Sequence, residues 1–132
     1  MKQFGLSAKE RIKSKKEFDL VYSNGEFLFS SSHKFKAVLL IQRDCGVCGI
    51  KAAFAVSKKL GTAVWRNRFK RLLRESFRLN KSELCSAANL KNLNLIIVFS
   101  SNSINQKHDP KLSLKDVMPE IIELLNRIRA VL

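Results

Sequence analysis

Lys58, Lys59, Arg66, Arg68, Lys70, Arg71, Arg74 and Arg78 fall within the stretch Ser57–Asn80, where only Glu75 opposes them. Arginine is suited to bidentate phosphate contacts and to stacking on bases. Gly61 followed by Thr62, a favourable N-cap, predicts a helix from about Ala63 to Asn80, uninterrupted by Gly or Pro. Wound at about 100° per residue, Trp65, Phe69, Leu72, Leu73, Ser76 and Phe77 collect on one side. Asn67, Lys70, Arg71, Arg74 and Arg78 collect on the other, with Arg66 and Arg68 on the flanks. Like charges three and four residues apart repel by roughly a few tenths of a kcal/mol per pair. A helix selected only for stability would interleave Glu, so the pattern implies that an external anion supplies the negative charge. A charge run ordinarily means no more than a solvated helix face. Here the whole chain of 132 residues carries a formal net charge of +14, so the imbalance is not local.

Groups able to break bonds are missing from the pattern. The sequence has no nucleophile elbow, Walker loop or His-x-x-x-His pair. His33 and His108 lie in separate polar segments and are expected at the surface. Asp44, Asp109 and Asp116 are scattered, without the spacing of a two-metal site. Cys45 and Cys48 form a Cys-Gly-Val-Cys unit between two predicted strands, and Cys85 is far off. A structural zinc site usually takes four ligands, so these are expected to be reduced cytosolic thiols, the first two in a hairpin loop. No catalytic residue and no metal site is expected on the protein itself.

A polyanionic partner follows from the charge: nucleic acid first, an acidic membrane surface second. A membrane binder would leave bulky apolar residues exposed, whereas the apolar side of this helix is needed for a core. A major-groove DNA reader would need a partner helix of suitable length before Thr62, and none is predicted. An RNA-binding module such as a ribosome-associated protein or RNA chaperone shares the basic helix and the lack of catalytic groups. Met1–Lys16 has no apolar segment of signal-peptide type, and Ala37–Ile41 and Leu95–Phe99 are too short to span a bilayer. A soluble, cytoplasmic protein without a membrane or DNA partner is expected.

The elements that must position the basic helix can be read from periodicity. Length argues for one domain over 1–132, and 45% hydrophobic residues suffice for a real core. Ser14 and Glu17 make a capping box, predicting a short helix over Lys15–Tyr22 that ends at Ser23-Asn24-Gly25. Phe18, Val21 and Tyr22 share one of its faces, and by spacing alone are core residues. Glu26–Ser32, punctuated by Phe27 and Phe29, opens the first strand or a loop before it. Phe35–Gln42 alternates as a strand, and Ala52–Ser57 reads as the second. Ser82–Ala88 forms a helical turn. Leu93–Phe99 is the third strand, with an apolar run that suits burial on both faces. Ser100–Pro110 is a polar loop. A last helix runs from about Ser113 to Ala130, with Val117, Ile121, Leu124, Leu125, Ile128 and Leu132 as its stripe. Pro119 predicts a kink or a later start near Asp116. The order is that of an α+β layer.

Lys58-Lys59, Gly61, Ala63-Val64, Arg66-Asn67, Lys70-Arg71 and Arg74 stand at the spacings of the RNR motif of the bacterial ribonuclease P protein subunit. The resemblance is ungapped, covers most of the chain and is concentrated in residues 54–78. It implies a small mixed four-stranded sheet with packed helices, like domain 2 of ribosomal protein S5. It also implies a left-handed β-α-β crossover holding the basic helix, against the general right-handed rule. By resemblance the protein is the protein component of an endoribonuclease that removes the 5′ leader of precursor tRNA, with the RNA subunit and Mg²⁺ doing the chemistry. Arg66, Asn67, Lys70, Arg71 and Arg74 are then expected to dock the catalytic RNA, supported by Arg68 and Arg78 and extended by Lys58 and Lys59. Phe18 and Tyr22, with Lys36 nearby, are expected to hold the single-stranded leader, since base–aromatic stacking tolerates any sequence. The family tends to carry another cleft-facing aromatic on the strand after the first helix. Val38 stands at that place here, with Phe27, Phe29 or Phe35 as candidates to compensate.

Overall fold

The computed structural model describes residues 15–43 and 49–132. Its elements are α1 (Lys15–Asn24), β1 (Glu26–Phe29), β2 (Phe35–Arg43), β3 (Gly49–Ala55), a 3-10 turn (Lys58–Leu60), α2 (Ala63–Asn80), α3 (Ser82–Leu90), β4 (Leu93–Ser101) and α4 (Leu114–Ala130). The capping residue Ser14 and the Cys45/Cys48 unit lie outside the described residues.

The four strands form one sheet in the order β1-β2-β4-β3. β2 runs antiparallel to both β1 and β4, while β3 runs parallel to β4. The sheet is therefore mixed, and α2 and α3 lie in the crossover between its parallel pair. Helices cover both faces. Phe35, Ala37 and Leu39 of β2, Ile50 and Ala52 of β3, and Leu95, Ile97 and Phe99 of β4 face α2, α3 and α4 across the main core. On the other face Val38, Ala53, Ile96 and Val98 pack against Val21 and Phe18 of α1. This explains the apolar run of β4: Leu95–Phe99 is buried throughout because helices press on it from two sides.

Three sequence expectations shift. Glu26–Phe29 is a strand of its own, an edge hairpin partner of β2. Four residues with polar neighbours give too short a pattern to show alternation. Ala52–Ser57 begins three residues earlier as β3 and stops at Ala55, because the Ser57 hydroxyl turns back to accept from the Lys59 N–H and caps the 3-10 turn. Pro119 neither delays nor ends α4. Ser113 caps it reciprocally with Asp116, and the helix runs on through the proline.

Candidate nucleic-acid interface

The Thr62 hydroxyl accepts from the Trp65 N–H and starts α2 at the residue the sequence indicated. Trp65, Phe69, Leu73, Ser76 and Phe77 are buried. Ring contacts fix this underside: Phe69 meets Trp65 and Phe35 edge-on at 5.2 and 5.8 Å, and Phe77 lies 5.5 Å from Phe99. The helix cannot roll without breaking these contacts, so its cationic side is held outward.

Lys58, Lys59, Asn67, Arg68, Arg71 and Arg74 are exposed, and Arg66, Lys70 and Arg78 are half-buried. Among the described residues no carboxylate pairs with any of these cations except Arg78. Arg78 is held by Glu75 one turn earlier, whose carboxyl lies below its ordinary range mainly because it accepts hydrogen bonds from that guanidinium. Arg78, expected as a supporting charge, is thus already paired within its own helix. Arg66 and Arg68 spend one N–H each on backbone, on the Gly61 and Leu112 carbonyls at 3.2 and 3.1 Å. The Arg74 guanidinium sits 6.0 Å from the Phe54 ring centroid, at the limit of a cation–π contact. Val64, Asn67, Arg68, Arg71 and Leu72 line an open hollow of about 490 Å³ along the ridge.

The start of α2 is braced by a segment distant in sequence, a feature that periodicity could not reveal. The Gln106 amide oxygen accepts from the Thr62 N–H at 2.8 Å, and the Gln106 N–H donates to the Leu60 carbonyl at 2.7 Å. Further along, Trp65 Nε1 donates to the Asp109 carbonyl at 2.9 Å. Gly61 is needed for this approach: a Cβ there would stand 2.8 Å from both Gln106 Cβ and the Trp65 ring.

The second group of predicted residues meets on the α1 face of the sheet. Tyr22 and Lys36 line one open pocket of about 360 Å³ with Ala55, Val56, Ser57, Leu60, Ser100 and Ser101. Tyr22 is 42% exposed, and partial burial raises its phenol pKa above the ordinary value. Phe18 is half-buried against the small core and is not among the residues lining that pocket. Val38, at the place of the family's further aromatic, lies wholly under α1 and presents no surface. Phe35 is excluded as a substitute because it is buried on the opposite face. Phe27 and Phe29 stand opposite Val38 and Lys36, hence on the α1 face, and both are exposed. The pocket lining includes Ser57 and Leu60, which flank and end the Lys58–Leu60 turn that precedes α2.

Fold and surface together define a class: a small α+β protein that uses its crossover helix to display cations and keeps an aromatic, lysine-lined pocket beside it. The chain belongs to the ribonuclease P protein family, whose family model matches residues 6–128. It is 32% identical over 117 residues to the ribonuclease P protein component of Clostridium botulinum, spanning 89% of this chain and 92% of that relative. The corresponding protein of Desulfovibrio desulfuricans is 32% identical over 130 residues, 97% of this chain and 89% of its own. The fold matches that of the ribonuclease P protein from Thermotoga maritima with a TM-score of 0.68 at 24% identity, covering 89% and 96% of the two chains. The family is that of the protein component of an endoribonuclease holoenzyme.

Proposed function

We propose that the chain acts as a single RNA-binding domain that docks the ribonuclease P RNA through the α2 ridge and holds the 5′ leader of precursor tRNA in the Tyr22–Lys36 pocket. The observation that carries this reading is the outward face of α2, where Lys70, Arg71 and Arg74 have no acidic partner among the described residues. Cations kept apart by a rigid apolar underside are already oriented toward phosphates, so little ordering is lost on binding. Tyr22 offers a ring for a base and Lys36 a charge for the adjoining phosphate.

The contribution of the protein is positional. Screening the repulsion between two RNAs and fixing the leader lowers the entropic and electrostatic cost of presenting the scissile bond. The described residues gather no group of three or more His, Cys, Asp or Glu suited to a metal ion. As the family resemblance implies, the reading assigns the Mg²⁺ to the RNA, where it would supply the hydrolytic chemistry. It also assigns the protein to the cytoplasm, and no helix among the described residues is long and apolar enough to cross a membrane.

Reconstitution with the catalytic RNA tests the reading. Arg71→Glu combined with Arg74→Glu should abolish support of precursor cleavage at low Mg²⁺ while leaving the thermal unfolding midpoint close to that of the parent. Full support by a folded variant would place the RNA on another face.

A further inference from the structure

The sheet register carries the proposed leader site beyond its pocket. Phe29 pairs with Lys36, Lys36 with Ser100, and Ser100 with Ala55, so one row crosses all four strands. Paired residues present their side chains on the same face, and the row spans about 14 Å at the usual inter-strand spacing. Lys36, Ser100 and Ala55 already line the Tyr22 pocket. The row then ends on the edge strand in an aromatic surface. Phe29 is 36% exposed and Phe27, two residues back on the same face, is 48% exposed. The His33 ring lies 6.1 Å from that of Phe29, and Lys34 beside it is exposed.

A second observation points into the same row. Ser100 is only 7% exposed, and its hydroxyl, buried in the pocket lining, has no hydrogen-bond partner within the described chain. A buried hydroxyl left unpaired is unfavourable, and this one adjoins the lysine and tyrosine that would hold a nucleotide.

We propose that single-stranded RNA follows this row. The nucleotide held at Tyr22 hydrogen-bonds Ser100 Oγ, and the nucleotides upstream of it stack on Phe29 with His33 and then on Phe27, with Lys36 and Lys34 near their phosphates. The inference rests on the reading of the Tyr22 pocket as the leader site. A second copy of the chain is the other natural occupant of an exposed edge strand, but each copy carries a formal charge of +14. Basic and aromatic groups together fit a single-stranded polyanion with bases to stack. The β1–β2 turn is also anchored: the Ser31 N–H donates to both Glu123 carboxylate oxygens at 3.1 and 3.0 Å, and the Ser32 hydroxyl to Glu120 at 2.8 Å. The aromatic edge is thus presented on a fixed strand.

The test measures dissociation constants of the reconstituted holoenzyme for two precursor tRNAs, one with a leader ending at the Tyr22 pocket and one several nucleotides longer. The parent should bind the longer leader more tightly. Phe27→Ala with Phe29→Ala should weaken binding of the longer leader by roughly tenfold and remove that advantage. Tyr22→Ala should weaken both substrates. Ser100→Ala should also weaken both, by a few-fold, without lowering the melting temperature. If Tyr22→Ala affects neither substrate, the underlying leader reading falls. If Tyr22→Ala acts as expected while the double variant keeps the long-leader advantage, only the β1 extension is overturned. Equal affinity of the parent for the two leaders overturns it as well. So does an altered oligomeric state of the double variant, which would assign the aromatic edge to a second copy.

Discussion

Ser31 gives Glu123 both its backbone N–H and its hydroxyl, and Arg127 pairs with the same carboxylate at 3.1 Å. These contacts, those from Ser31 foremost, hold the Glu123 carboxyl below its ordinary value of 4.5. A carboxyl with a depressed folded-state pKa adds stability that is present above the unfolded value and lost as pH falls through the folded one. Glu123→Gln should therefore lower the melting temperature at near-neutral pH, and its gap from the parent should close as acid protonates the parent's carboxyl. Parallel thermal melts down to about pH 3 would check this, and a gap independent of pH would show that the charge is not what fastens the turn. At this scale the sequence was readable where neighbours are local. Lys70, Arg71 and Arg74 were placed outward by helical spacing alone. The pairing of Arg78 with Glu75 is also a short-range contact. Ser100 gave no such signal, because burial of a serine hydroxyl near the end of an apolar run is decided by packing between elements distant in sequence.

Among the elements, α2, β2, β4 and α4 were legible because each repeats its apolar pattern for two turns or more, or over a whole strand. β1 was not, being four residues long and defined by what it pairs with. The brace around the start of α2 was equally hidden, since Gln106 lies in a polar loop and acts on a helix that begins at Ala63. That brace yields a prediction for the element as a unit. Gly61→Ala would drive a methyl against Gln106 and Trp65, at 2.8 Å from each. Overpacking of this kind typically costs about 1–3 kcal/mol. Gln106→Ala removes the acceptor of the Thr62 N–H and should cost about 1 kcal/mol. Both variants should weaken binding to the catalytic RNA, because Lys58, Lys59 and Arg66 flank the loosened joint. Melting temperatures and RNA dissociation constants measured together would check it. Unchanged RNA affinity in a measurably destabilised Gln106→Ala would show that the ridge does not depend on its brace.

For the whole molecule, charge is the dominant property. If about six phosphates are neutralised on docking, log K for RNA should fall against log salt with a slope of about −4 to −5. A titration in monovalent salt reads this directly, and a slope near zero would remove the electrostatic basis of the proposed function. Composition sufficed to expect such a partner, and the spacing of residues 58–74 sufficed to recognise the family. The mixed four-stranded sheet was expected from the resemblance, but its strand order and register came from structure, because pairing between distant strands leaves no local trace.

The parallel pairing of β3 with β4 has a consequence for the order of events during synthesis. α2 leaves the ribosome before the strand that completes its crossover, and before the Gln106 segment that fixes its first turn. Until those later residues arrive, its tryptophan and phenylalanines have only the β1–β2 hairpin and an unpaired β3 to settle on, and the first turn of the helix lacks its brace. A nascent chain would thus be sticky but undiscriminating toward the RNA-rich surface from which it emerges. The proposed docking on RNA would become available only when the last third of the polypeptide has been made.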